Sequence, residues 1–526
     1  MLFTSYTFIF FILAVFVLYY AIPKKWQWPF LLFASYGFYA YSGWKFLFYL
    51  LFTSLTAYVA TIQIGKLHEK QSVYLKEHKA ELSREDKKEY KAKIKSKAKF
   101  WLVLCLVVNF VLLGVIKYTD FIIANVNQLI GGNFSFMNFA LPMGLSFYMF
   151  QTMGYVIDVY WEKVEPEKNP FKVLLFTSFF PQLVQGPISR YGDLSETLFA
   201  THKFDWQVVS FGLQRILWGF FKKMVIADRL LTAVNTIIRE PETYQGVFVL
   251  VGMFFYAIQL YADFTGGIDI TIGVAETMGI KVKENFERPY FSKTIDEYWR
   301  RWHITMGTWF KDYIFYPISV SRSVIKKVPT WKKIFGDHIG KRMPIYLGTM
   351  VTWFVTGVWH GASWNFIVWG VLNGIIILLS QECKPLYDKF HEKFNVRGKW
   401  GYEFFCMFRT FWLMSFLRSF DCYRNVPLTF AMMGTIFTNF SGSKLVDGTL
   451  LQLGIGLADY IVIIVGVILM LSVSIYKEKK GNVREAIATK PAIVRYAVPW
   501  GLFFATLIFG AYGIGYDASQ FIYNQF

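Results

Sequence analysis

VTWFVTGVWHGASWNFIVWGVLNG, residues 351–374, contains no lysine, arginine, aspartate or glutamate and a single histidine, His360. About twenty such residues, rising 1.5 Å each, cross a hydrocarbon layer of about 30 Å as a helix. Within that layer each backbone group must be paired inside its own segment, which selects the helix over an open strand. The pattern recurs along the chain. Apolar stretches fall near 29–41, 46–64, 100–116, 141–159, 208–231, 246–261, 343–359, 364–379, 404–417, 455–473 and 493–510, after a first one inside MLFTSYTFIFFILAVFVLYYAIPKK. No run of alternating ten-residue segments suggests a barrel. The fold class is all-α: a polytopic membrane protein of ten or twelve spans, read as one domain over 1–526.

Composition agrees. The chain is 55% hydrophobic and 20% aromatic, and only 17% is charged, below the quarter or so of soluble domains. Its net charge of +19 does not indicate nucleic acid, because lysine and arginine collect in cytoplasmic loops. Cys105, Cys383, Cys406 and Cys422 show no CxxC spacing, and the histidines show no HExxH pattern, so no metal site is expected. Lys24 and Lys25 follow the first apolar run instead of preceding it. That favours a retained first helix with an outer N-terminus over a cleaved leader. Segment 66–99 carries two basic residues for each acidic one and reads as a cytoplasmic helical excursion near anionic lipid. The basic loop 476–495 then places the last helix leading outward, with 516–526 outside and both termini extracytoplasmic.

Polar residues inside apolar sequence are costly and suggest a site. They concentrate in three stretches: FFPQLVQGPISRYGDL (179–194), with Gln182 and Arg190; YADFTGGIDITIG (261–273) with ENFERPYFSKTIDEYWRRWHITMGTWFKDYIFYPI (284–318); and the opening stretch. The short run 174–184, ending in Pro and Gly, suits a re-entrant segment. The first stretch also reads as a kinked hairpin capped by Arg190. The second also reads as an interfacial amphipathic helix, and a lone His360 also reads as packing. The spacing of WRRWH predicts Trp299 and His303 on one helical face. Arg300, Arg301 and Lys311 suit the phosphates of an entering carrier. If Arg342 marks the cytoplasmic edge, His360, 18 residues on, lies about 27 Å deeper, while His303 lies nearer the cytoplasm. Two histidines at two depths suggest a path across the membrane.

These motifs, together with TGVWHGASWNFIVWG, resemble the membrane-bound O-acyltransferase (MBOAT) family, in particular the branch that O-acetylates bacterial polysaccharides such as alginate. The resemblance covers most of the chain and is strongest over about 140–375. It implies spans plus re-entrant and interfacial helices around a central chamber. By motif match the key histidine is His360 and the inner one His303. Gln182, Arg190, Asp263, Asp269, Trp299 and Asn365 would line the chamber. The chain departs from many relatives at Ile318-Ser319-Val320, where a Gly-Gly pair is common, at Asn373 for a histidine, and at Gly267 for a tyrosine.

The branch often ends in Phe-x-Tyr-x-x-Phe, matched here by Phe521, Tyr523 and Phe526 of FIYNQF. That resemblance implies an acyl relay on Tyr523, with the two phenylalanines as anchors. Taken alone, FIYNQF also reads as an interfacial aromatic anchor. A phenol of pKa about 10 is close in leaving-group acidity to a thiol of about 8.5, so an acyl-tyrosine keeps much of a thioester's transfer potential. Eight residues separate Gly515 from Tyr523, a reach of at most about 26–29 Å. His360 would act as general base. The implied donor is acetyl-CoA or another acyl thioester, with no permanently bound cofactor. The implied partners are membrane lipids and an extracytoplasmic SGNH-type O-acetyltransferase, and the location is the bacterial inner membrane. D-alanyl transfer to teichoic acid, a polysaccharide or lipid transporter, and an export scaffold remain alternatives.

Overall fold

The computed structural model describes residues 4–512. Every regular element among the described residues is a helix, and none is a strand; an isolated antiparallel bridge joins Phe286 to Trp302. They divide into two compact units, one of residues up to 210 with 274–283, the other of 211–273 with 284 onward.

In the first unit, helices Tyr6–Ala21, Gln27–Ser42, Leu47–Glu77, Arg84–Ile130 and Leu145–Tyr160 follow one another. The charged 66–99 segment is not a separate element. Two long helices run on past their apolar portions and turn over at 78–83, where Ser83 and Asp86 form a reciprocal cap. The rings of Tyr74 and Tyr90 stack at 4.1 Å across that turn. The short run expected to be re-entrant forms two short helices, Pro170–Ser178 and Phe180–Leu183, broken at Phe179 and buried.

Among the described residues, six helices are long and apolar enough to cross a membrane: Trp44–Glu77, Arg84–Ile130, Val247–Thr277, Trp364–Glu382, Leu457–Lys480 and Ala492–Phe509. Tyr6–Ala21 and Val426–Thr438 are apolar but shorter. Other expected spans are helical but shorter or more charged. The 208–231 stretch breaks into Trp206–Phe220, a π turn over Phe221–Ala227, and Asp228–Arg239. The 404–417 stretch lies in Trp400–Tyr423, which also carries Glu403, Arg409, Arg418 and Asp421.

Glycines set the helix spacing in the second unit. A Cβ on Gly370 would meet the Trp353 carbonyl oxygen at 2.4 Å, and one on Gly357 would meet that of Phe366 at 2.5 Å. The helices Val328–His360 and Trp364–Glu382 therefore pack backbone to backbone, as small-residue seams in membranes allow. A second seam pairs Gly219 with Gly266, whose absent Cβ atoms would meet each other's carbonyl oxygens at 2.6 and 2.9 Å. The end of the Ala492–Phe509 helix is tied down: Arg229, ion-paired with Asp459, donates to the Phe509 carbonyl at 2.8 Å, and Ala511 N–H donates to the Met224 carbonyl at 2.8 Å.

Gly370→Val forces these helices apart. It is expected to cost about 1–3 kcal/mol and to lower the thermal midpoint of the purified protein by several degrees in scanning fluorimetry. Gly434→Ala, with nothing within 4 Å of its Cβ, is expected to leave the midpoint unchanged.

Candidate active site

His303 is placed by a local clamp. Its helix Ile295–Arg301 stops before it, Trp302 is extended, and His303 itself is left-handed at φ 48, ψ 51. Trp299 and His303 therefore do not share a helical face, contrary to the expectation from WRRWH. Non-glycine residues rarely adopt this conformation, and the surrounding structure must enforce it. The segment 285–287 does so. Glu287 N–H donates to the Arg301 carbonyl at 2.9 Å, and Ile304 N–H donates to the Asn285 carbonyl at 2.9 Å. The buried Asn285 side-chain oxygen accepts from Thr305 N–H at 3.1 Å and from the Thr305 hydroxyl at 2.9 Å.

The His303 ring is fully buried, 5.0 Å from Phe264 and 6.0 Å from Trp359. Burial, with the Arg418 charge adding to it, pushes its pKa down to about 3, so the imidazole is neutral at pH 7. His360 closes the Val328–His360 helix and stands 4.9 Å from the same Trp359 and 4.7 Å from Trp369. A Cβ on the next residue, Gly361, would strike the Phe366 ring at 2.4 Å. The glycine thus lets Phe366 lie stacked near His360, at 6.2 Å. The two histidines, 57 positions apart in the chain, pack on one indole.

Asparagines hold this wall together. Asn373 accepts from the Trp299 indole N–H at 3.2 Å and donates to the Trp369 carbonyl at 2.8 Å. Asn365, bonded to the Ser363 hydroxyl, donates to the Phe420 carbonyl at 3.0 Å. Trp299 and Asn365 are thus part of the wall around the histidines. Gln182 and Arg190 lie in the first unit, where Gln182 donates to Ser189 Oγ at 2.5 Å and to the Pro187 carbonyl at 3.1 Å, fixing its own loop.

Asp263 belongs to a buried ion pair and Asp269 to a partly buried one. Lys223 contacts Asp263 at 2.6 Å and Asp228 at 2.7 Å; Lys222 contacts Asp269 at 2.7 Å, and Arg215 bridges Asp269 at 2.9 Å to Glu284. Lys222, Lys223 and Arg215 were not singled out from the sequence. The signal was present as two lysines inside the apolar 208–231 stretch. Asp269 also faces a cavity of about 720 Å3 that Arg215, Lys222, Tyr261, Phe286 and Lys477 help to line. Its wall residue Phe286 has its ring 6.2 Å from that of His303. Arg300 and Lys311 are exposed, and Arg301 is ion-paired to Glu478 at 3.1 Å and Glu297 at 2.8 Å. None of these three lines that cavity. Tyr523, Phe521 and Phe526 lie outside the described residues.

Asn285→Ala leaves Thr305 without its acceptor and loosens His303. The expected cost is about 1–3 kcal/mol of stability and roughly 10–100-fold in acyl-transfer rate, read together by scanning fluorimetry and thiol release from the donor.

The sequence profile of the membrane-bound O-acyltransferase family matches residues 166–328. A probable alginate O-acetylase of Azotobacter vinelandii is 32% identical over 393 residues, 73% of this chain and 69% of that protein. A peptidoglycan O-acetyltransferase of Helicobacter pylori is 29% identical over 319 residues, 56% of this chain and 57% of that protein. A teichoic acid D-alanyltransferase of Bacillus subtilis is 29% identical over 260 residues, 48% of this chain and 61% of that protein. With its helices, its apolar spans and this likeness over most of both sequences, the chain belongs to the membrane-bound O-acyltransferase family.

Proposed function

We propose that the protein takes an acetyl group from a cytoplasmic thioester, acetyl-CoA, and delivers it outside for O-acetylation of a cell-surface or exported polysaccharide. The observation that carries the reading is the pair of buried imidazoles, His303 and His360, packed on Trp359. An imidazole in a wall of indoles is suited to take a proton from an attacking hydroxyl, a contribution of typically about 10²–10⁴ in rate. His360 is the general base and His303 orients the donor. The donor reaches them through the cavity beside Phe286, with Lys477 at its wall, and Arg300, Arg301 and Lys311 draw its phosphates in from outside that cavity. The donor is a substrate, and no cofactor is held between turnovers.

Tyr523 receives the acetyl group, with Phe521 and Phe526 as anchors, and passes it to an extracytoplasmic SGNH-type partner. In this reading both termini lie outside the bacterial inner membrane and the 66–99 helical turn lies inside. The relatives named for alginate and peptidoglycan O-acetylation support acetyl over other acyl groups. The relative named for D-alanyl transfer supports a second reading in which the group is alanyl.

The test is mass spectrometry of the C-terminal peptide of protein purified from cells lacking the partner. The expected result is an acyl adduct on Tyr523 in the parent, of acetyl mass, and none in His360→Ala. An alanyl mass selects the second reading. Parent protein that releases donor thiol without an adduct overturns the relay. Adduct retained in His360→Ala removes the histidine from the chemistry.

A further inference from the structure

The second unit holds a buried cation that the reaction outlined above leaves unused. Arg418 sits in the Trp400–Tyr423 helix and is only 6% exposed. Its guanidinium centre lies 4.7 Å from the Trp302 ring, 5.4 Å from Trp369 and 5.7 Å from Trp299. Trp302 adjoins His303 in the chain, and Trp369 is the indole 4.7 Å from His360. The cation therefore stands among the rings that flank both imidazoles.

A guanidinium stripped of water costs several kcal/mol unless its charge is well matched. The carboxylate of Asp421 is 3.8 Å away, longer than the roughly 2.7–2.9 Å of a direct charge-assisted hydrogen bond. Asp421 also accepts the Tyr256 hydroxyl at 2.8 Å. The Tyr298 hydroxyl is a further polar neighbour. Indole faces add to the stabilisation of the cation. Positive charge is thus held, away from solvent, among the rings that flank the two histidines.

We propose that Arg418 stabilises the oxyanion that forms on the acyl carbonyl when the donor thioester is attacked; this rests on the acyl-transfer reading above. The acceptor oxygen bonds to the carbonyl carbon as its proton passes to His360, and the carbonyl π pair moves onto oxygen. That pair then returns, the carbon–sulfur bond breaks, and the leaving thiolate takes the proton from His360. Negative charge exists on the carbonyl oxygen only between these two events. A preoriented cation in a low-dielectric site lowers the barrier between them without tightening the ground state. Arg418 is therefore a catalytic residue, and its effect belongs in the saturated rate.

The test uses the full chain in lipid nanodiscs, mixed with acetyl-CoA, and follows release of CoA thiol. Arg418→Met is expected to slow the saturated rate about 100–1,000-fold while half-saturation moves less than threefold. Arg418→Lys, which keeps the charge but loses the planar fork, is expected to recover part of the rate. The second readout is binding of trifluoroacetonyl-CoA, a ketone that adds a hydroxyl to give an oxyanion-like centre, against CoA itself. The parent should prefer the ketone, and both variants should lose preference in step with rate while CoA binding holds. A rate within threefold of the parent in folded Arg418→Met overturns the proposal, as does a slow variant with its ketone preference intact. If Arg418→Met does not fold, Arg418→Lys with parental rate and ketone preference overturns it. A parent that releases no thiol sinks the acyl-transfer reading and the proposal with it. Loss in His360→Ala alone keeps that reading and rejects the proposal.

Discussion

The backbones of two helices meet at Gly357 and Gly370 with no side chain between them, and the candidate site depends on that contact. In hydrocarbon there is little hydrophobic force to drive one helix onto another, so close approach and dispersion must supply it. The contact brings the end of the Val328–His360 helix, with His360 as its last residue, against Phe366 and Trp369 of the next helix. Larger residues at either glycine would open the seam, and the imidazole would lose its wall. Asn285 solves the matching problem for His303 by enforcing a backbone conformation that an imidazole-bearing residue does not choose by itself.

Charge is handled differently from apolar surface. Asp263, Asp269, Lys222, Lys223 and Arg215 lie on two neighbouring segments and are paired at 2.6–2.9 Å. Deleting one member of such a set leaves an uncompensated buried charge, which is far more costly than removing both. The set accompanies the Gly219–Gly266 seam, so close packing and ion pairing fix the same helices. Arg418 has a different setting: the Asp421 carboxylate stands at 3.8 Å and indole faces lie around the guanidinium.

Much of this was legible before any coordinates. The all-helical membrane fold followed from apolar length, and the motif stretches pointed to His303, His360, Trp299 and Asn365. Other features were hidden for physical reasons. The i,i+4 spacing of Trp299 and His303 suggests a helix, but a bridge from Phe286 to Trp302 ends it, and long-range pairing is invisible to spacing. The ion pairs of Asp263 and Asp269 were hidden because their partners, Lys223 and Lys222, lie 40 and 47 positions away. Arg418 directly follows the 404–417 stretch read as a span, and nothing local reveals that three indoles from distant segments surround it. Span counting from apolar runs also overlooked that helices such as Trp400–Tyr423 carry buried charge.

The tie at the end of the last helix has a kinetic meaning. Arg229 and Met224 grip the backbone at Phe509 and Ala511. Helix ends are where folded chains open most readily. Here the last turn unwinds only after these hydrogen bonds break, so local opening at Phe509 is slowed.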